Sequence, residues 1–251
     1  MSEDKVVLVT GASGHLGSAV ARASAEAGWA VAVHYRSSEQ AARQLVSEIA
    51  DRGGSAHSFG ADLGSDAEPA RALVKAVNAH FGRLDALVNN SADQSPTPLP
   101  QLTDSQWQDM LAATFLSAAN LTQAAAEAME PGAAVVNITS VEASSAFPNH
   151  AHYAAAKAAL ESFTRSLALD FGPRGMRANA VAPGLIDRVG LADAWPQGLT
   201  WWQASSPSGR PVSAGEVAEA VVFLMGERAS GINGVVLPVD GGWSASARAP
   251  F

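Results

Sequence analysis

The stretch Lys5-Val6-Val7-Leu8-Val9-Thr10-Gly11-Ala12-Ser13-Gly14-His15-Leu16-Gly17 runs from a short apolar strand directly into a glycine-rich turn and the start of a helix. Glycines at such a junction let phosphate groups approach the backbone N–H groups at a helix N-terminus. The same turn also has a plain structural use, because glycine tolerates the dihedrals of a tight strand-to-helix corner. Outward from this point, Val-rich apolar runs alternate with longer Ala-rich segments of helical period to the far end of the chain, the βαβ pattern of a parallel sheet. Strands are expected near Lys5–Thr10, Ala30–Tyr35, Ser55–Asp62, Leu84–Asn90, Ala133–Ser140, Arg177–Pro183 and Val235–Val239. Helices are expected to begin near Gly14, Ser38, Asp66, Thr103, His150 and Ser213, several with a Ser, Thr or Asp available as N-cap.

Beyond the turn by about twenty residues, where an acid would bind ribose hydroxyls, the second strand ends in His34-Tyr35-Arg36-Ser37-Ser38 with no acid before Glu39. An arginine with two hydroxyls suits a 2′-phosphate, which points to NADP(H). The expected fold is therefore α/β: a Rossmann-type, doubly wound, seven-stranded, mostly parallel sheet with helices on both faces, residues 1–251 forming one dinucleotide-binding domain.

The 251 residues carry 16 Lys+Arg against 24 Asp+Glu, a net charge of −8, which argues against nucleic acid or an anionic membrane as partner. Charged residues make up 16% and apolar ones 47%, so much of the surface is small, neutral or buried against another subunit, and a homo-oligomer is expected. With no cysteine, disulfides, thiolate metal sites and a cysteine nucleophile are excluded, and no His/Asp/Glu cluster has metal-ligand spacing. Residues 1–5 lead into a strand without a basic, apolar leader pattern, and no apolar run approaches the ~18 residues that span a bilayer. A cytoplasmic protein acting on a small molecule is expected. The stretch from Gly184 to Pro211, with Trp195, Trp201, Trp202 and the breakers Pro196, Gly198, Pro207 and Gly209, reads as irregular; residues 185–211 are expected to form a substrate-binding loop or lid.

Tyr153 and Lys157 stand at i and i+4 in an Ala-rich helix and share a face. An ammonium beside a phenol favours the phenolate, bringing a group of pKa ~10 toward neutrality as a general acid or base for a carbonyl/alcohol pair. Ser140, thirteen residues earlier at the end of the fifth strand, is placed to hydrogen-bond a substrate oxygen. Asp93 and Gln94 either contact a polar substrate group or cap the loop after the fourth strand. Trp195, Trp201 and Trp202 either wall an apolar substrate or pack a subunit contact, and Glu142 is a candidate for recognising an amine. His150 and His152 flank Tyr153 with no partner visible in sequence and are expected to be solvated or structural.

Over residues ~5 to 243 the chain resembles the single-domain short-chain dehydrogenase/reductases. The marks are the Thr10–Gly17 turn, Asp62-Leu63, Leu87-Val88-Asn89-Asn90, Ser140, Tyr153, Lys157, Ala182-Pro183-Gly184 and Val239-Asp240-Gly241-Gly242. The resemblance implies cofactor contacts from Gly11, Ser13, His15 and Leu16 in the turn, from Tyr35, Arg36 and Ser37, and from Asp62 and Leu63 toward the adenine. It further implies Asn89 and Ser91 beside the cofactor, Lys157 on the nicotinamide ribose as well as near Tyr153, and Pro183, Gly184 and Ile186 along the carboxamide. The implied reaction is reduction of a carbonyl or imine with Tyr153 as proton donor. The implied assembly is a homotetramer, over a dimer, built through the helices beginning near Thr103 and His150.

Three departures from that pattern stand out. Thr114 occupies the position where the family carries an asparagine that holds a relay water. Gly14-His15 gives the spacing of the family's extended branch, and with Val33–Ser37 and Asn89-Asn90…Pro96–Leu99 is similar to pteridine reductases. The stacking aromatic and the acid of that subgroup are replaced by Ser91–Ser95 and Ser140. Alternatives to a reductase are thus a catalytically weakened NADP(H)-binding sensor or scaffold, a pteridine reductase, and an NADP-retaining epimerase or lyase.

Overall fold

The computed structural model describes residues 4–64, 66–145 and 147–246; Met1–Glu3, read above with the approach to the first strand, and residues 247–251 of the expected domain lie outside them. The chain runs β1 (Val6–Val9), α1 (His15–Glu26), β2 (Ala30–Tyr35), α2 (Glu39–Asp51), β3 (Ala56–Gly60), α3 (Glu68–Phe81), β4 (Ala86–Asn89) and α4 (Asp104–Leu111). After a π turn at Ala112–Leu116 follow α5 (Ser117–Ala128), β5 (Ala134–Ile138), α6 (Ala151–Phe171), β6 (Arg177–Pro183), α7 (Leu191–Ala194), α8 (Pro196–Ser205), α9 (Ala214–Met225) and β7 (Val236–Val239).

Apolar runs rather than alternating ones form the central strands because both faces are covered. Val7 and Val9 of β1 enter a core layer with α1, α2 and α9, while Val6 and Leu8 enter another with α3, α5 and α6. Burying each such side chain contributes roughly 1.5–3 kcal/mol, so a polar residue on either face would be costly. The seven strands lie in the order β3-β2-β1-β4-β5-β6-β7, and every pair is parallel rather than most of them. The chain winds outward from β1 to β3 and then crosses to β4, so a crevice opens where β1 and β4 end.

Polar side chains on the α5/α6 side bond to one another. Asn89 Nδ2 donates to Thr122 Oγ1 at 2.9 Å and to Asn137 Oδ1 at 2.8 Å, and Asn137 Nδ2 donates to Thr164 Oγ1 at 2.8 Å, lacing α5, β4, β5 and α6 together. At the crevice, Asn90 Nδ2 donates to the Thr10 carbonyl at 2.9 Å and ties the ends of β4 and β1.

Helix starts follow their caps. Thr103 and Ser213 form reciprocal capping boxes with Gln106 and Glu216, whereas Ser38 precedes α2 without a side-chain bond. The helix expected from Asp66 begins at Glu68, whose N–H donates to the Asp66 carboxylate at 3.0 Å. The stretch after β6 corrects the expectation of an irregular loop, since α7 and α8 lie within it. Pro196 sits in the first turn of α8, where the missing N–H costs nothing. Trp202 is buried and stacked on Trp243 with ring centroids 5.3 Å apart, so tertiary burial outweighs the local breakers. Among the described residues no helix is long and apolar enough to cross a membrane.

Candidate active site

The ends of β1 and β4 open onto a cleft of about 1630 Å³. One end is walled by Gly11, Ser13, His15, Leu16, Arg36, Ser37, Asp62, Leu63 and Ser91. The other is walled by Ser140, Tyr153, Lys157, Pro183, Gly184 and Ile186, with Asp93, Gln94, Glu142, Trp195 and Trp202 beyond. His15 Nε2 lies 2.8 Å from the Asp187 carbonyl and so bridges the glycine-rich turn to the segment after β6. Asp93 also serves its own loop, its Oδ1 accepting from the backbone N–H and hydroxyl of Ser95.

The first end suits a phosphate. The N-cap of α1 is Gly14, which offers no side-chain oxygen to the free N–H groups, and the first turn holds no acid. Arg22, Arg43, Arg52, Arg71, Arg83 and Arg210 all have carboxylate partners, whereas among the described residues Arg36, like Arg188 elsewhere on the cleft wall, has none. A helix end without a cap beside an unpaired guanidinium is a donor set for phosphate, and the residues present fit a phosphorylated dinucleotide.

Four residues expected at the site are not part of the cleft wall. Tyr35 lays its ring over Gly60, where a Cβ would stand 2.9 Å from its Cζ; next to the cleft-lining His34 on β2, it faces the other way. Asn89 is spent on the ladder below β4. Trp201 packs on Phe147 and Trp243 and is otherwise exposed. Thr114 is fully buried in the π turn, its Oγ1 3.5 Å from Met110 Sδ, and the cleft face of this region is made by Asp109, Ala112, Ala113 and Ser117. A threonine hydroxyl is too short to leave its own helix, so it does not present a water site to the cleft.

Tyr153 and Lys157 share the buried face of α6. Tyr153 Oη accepts from Gln94 Nε2 at 2.8 Å and is also hydrogen-bonded by Ser140. Lys157 Nζ donates to the Ile138 carbonyl at 2.7 Å and lies 5.7 Å from the Tyr153 ring centroid. The expected drop of the phenol toward neutrality is corrected. Burial pushes Tyr153 up to about 12, the nearby Glu142 charge adding to it, against the bonds from Gln94 and Ser140. Burial likewise pulls Lys157 down to about 7. Desolvation disfavours both charged forms, so in the cofactor-free protein the phenol keeps its proton.

A stability consequence follows. Between about 7 and its ordinary 10.5, the Lys157 amine is neutral when folded and protonated when unfolded, so the unfolded chain binds more protons and stability rises with pH. Tyr153 reverses this between 10.0 and about 12, where only the unfolded phenol ionises. Denaturant unfolding of the cofactor-free protein is expected to show a gain of up to ~1.4 kcal/mol per pH unit between pH 7 and 9.5. Lys157→Met should flatten that gain, and equal slopes in the two proteins would refute it.

The histidines flanking Tyr153 depart from expectation. His150 Nδ1 lies 2.8 Å from Glu142 Oε2, and its ring meets Tyr153 edge-on at 5.9 Å. His150 is thus a cleft residue, paired across a turn in a way that linear spacing does not show. His152 is buried and packs edge-on against Trp107 at 6.1 Å, a structural position. Phe147 and His34 are among the cleft residues that carried no assignment from sequence. For His34 a signal was there: a lone polar side chain in the Ala/Val run of β2.

Comparison with known proteins agrees with this geometry. The family described as enoyl-(acyl carrier protein) reductase matches residues 11–244. An uncharacterized oxidoreductase of Methylorubrum extorquens is 36% identical over 243 residues, covering 96% of this chain and 98% of the relative. A 3-oxoacyl-[acyl-carrier-protein] reductase of Staphylococcus aureus is 33% identical over 245 residues, covering 96% and 99%. Among solved structures, the angucycline C-6 ketoreductase LanV with bound NADP superposes with a TM-score of 0.90 at 28% identity, covering 96% of each chain.

Proposed function

The chain belongs to the short-chain dehydrogenase/reductase family of oxidoreductases, and from that premise we propose that it is an NADPH-dependent reductase of a carbonyl or imine in a small cyclic or aromatic metabolite. The observation that carries this is one continuous cleft joining the uncapped helix end and unpaired Arg36 to a buried, neutral Tyr153. Support comes from the 3-oxoacyl-[acyl-carrier-protein] reductase and the NADP-bound angucycline C-6 ketoreductase that the chain resembles. Phe147, Trp195 and Trp202 supply aromatic wall for such a ring.

NADPH, when bound, supplies the hydride. The turn from Gly11 to Leu16, with Ser37 and Ser91, would hold its phosphates and ribose, Arg36 the 2′-phosphate, Asp62 and Leu63 the adenosine, and Pro183 to Ile186 the nicotinamide end. Ser140 orients the substrate oxygen or nitrogen by hydrogen bonding. Tyr153 delivers its proton to that atom as negative charge develops, and Gln94 and Ser140 then donate to the phenolate left behind. Asp93, Glu142 and His150 line the mouth and select polar substituents, while residues 185–211 close over the substrate as a lid. We place the working form in the cytoplasm as a homotetramer, over a dimer. Leu116 and Leu169, 37% and 78% exposed, lie on the α5/α6 side that would pair, and light scattering should return about four times 25.7 kDa.

The test is cofactor oxidation over ketones, cyclic imines, quinones and dihydropterins. Turnover on one class establishes the reductase and names the substrate. NADPH binding with no turnover on any class favours the second reading, a sensor, for which the enclosed Thr114 is the motivating observation. For cofactor choice, Arg36→Asp is expected to weaken NADPH relative to NADH by about 10- to 100-fold, the worth of a charge-assisted pair to phosphate. An unchanged ratio would remove Arg36 from the 2′-phosphate site.

A further inference from the structure

His34 is 2% exposed in a strand otherwise built of aliphatic residues and Tyr35. Its Nδ1 accepts the Gly11 N–H at 3.2 Å, and its Nε2 lies 3.1 Å from the Ala61 carbonyl oxygen. A backbone N–H only donates and a carbonyl only accepts, so Nδ1 must be bare and Nε2 must carry the hydrogen. Two backbone partners thereby specify one neutral tautomer. A third tie runs through the main chain, where the Ala12 N–H donates to the His34 carbonyl at 2.9 Å. Gly11 is the residue of the turn held in the left-handed region, at φ +59°, and Ala61 directly precedes Asp62.

We propose that His34 is a positioning residue for the dinucleotide site, clamping the phosphate turn at Gly11 to the end of β3 at Ala61 while neutral and releasing the turn when protonated. This rests on the assignment of the cleft to NADP(H). A proton on Nδ1 would set two donors face to face, and the turn would have to move away from β2. Burial holds the His34 imidazole below the usual histidine range, against the Ala61 carbonyl and the charge of Asp62, which favour protonation. The other charged or titratable groups on the same wall are Arg36, further along its own chain segment, and His15 at the start of α1. A ligand that needs the ordered turn binds the neutral form, so its affinity falls as pH drops through the titration of His34.

The experiment measures dissociation constants of NADPH and NADH by cofactor fluorescence from pH 5 to 8, without substrate. NADH is included because it lacks the 2′-phosphate, which itself titrates near pH ~6. Because burial holds the imidazole low, the wild type is expected to lose affinity for both by about two- to fivefold between pH 7 and 5, with most of the loss at the acid end. His34→Asn, whose amide can accept from Gly11 and gains no proton, should stay within a few-fold of wild type at pH 7 and lose the pH dependence. His34→Phe should bind at least tenfold more weakly throughout. A flat wild-type profile, an unchanged profile in the Asn variant, or full affinity in the Phe variant would overturn the proposal. Amide exchange of Gly11 in the ligand-free protein reads the clamp independently of the cofactor assignment. Protection lost toward pH 5 in wild type but not in the Asn variant sustains it even if neither dinucleotide binds, and pH-independent protection in both refutes it.

Discussion

Tyr153→Phe is expected to lower kcat by about 10³-fold or more, with the NADPH dissociation constant held within about twofold; a positioned general acid contributes 10²- to 10⁴-fold, and here the same hydroxyl is a hydrogen-bond donor to the developing charge. The ring packs in a small core with Met110 and Ala156, so phenylalanine keeps the fold and removes only Oη. Gln94 would lose its acceptor at 2.8 Å but stands on a part-exposed loop where water can replace it. Because burial keeps the phenol neutral up to about 12 in the cofactor-free protein, the proton donor is present across pH 5–9. A variant retaining a tenth of wild-type turnover on the best substrate would show that some other group supplies the proton. Rescue by raising the buffer acid concentration would instead confirm that a proton is what is missing.

The second large effect belongs to the glycine-rich turn. Gly17→Val is expected to cost about 3 kcal/mol or more in unfolding free energy, within the range of severe overpacking, and to weaken NADPH binding beyond detection. A Cβ at Gly17 would stand 2.3 Å from the Gly11 carbonyl oxygen and 2.8 Å from Ala12 Cα, both main-chain atoms that cannot swing aside. The α1 N-terminus would be levered off β1, and with it the N–H groups that face the cleft. Gly14→Ala is the control. Its Cβ would meet only the Gly11 carbonyl, at 3.3 Å, with φ at −84°, so a small loss is expected. Urea unfolding and cofactor titration of both variants check the contrast, and equal behaviour of the two would contradict it.

Much of the architecture was legible because its cause is local or periodic. Val6–Val9 must be a strand with two covered faces, and the Ser213…Glu216 and Thr103…Gln106 boxes announce their helices. Tyr153 and Lys157 could be put on one face by helical spacing, and the bare Gly14 at the head of α1 by position in the turn. What spacing cannot carry is how far a side chain reaches once packed. Thr114 stands where a cleft residue was expected, yet its hydroxyl turns back to Met110; Asn89 follows an apolar run but is consumed by Thr122 and Asn137.

Sequence by itself determined the doubly wound, mostly parallel sheet and the order of glycines, arginine, serine, tyrosine and lysine along the chain, since each depends on residue type and on distance along the chain. Only the tertiary structure decided the protonation of Tyr153 and Lys157, the pairing of His150 with Glu142, the helices in the segment after β6, and the single tautomer of His34. Those four are settled by burial and by partners that strand or helix spacing does not bring together. Desolvation and contact geometry are properties of the packed volume, and a one-dimensional spacing does not contain them.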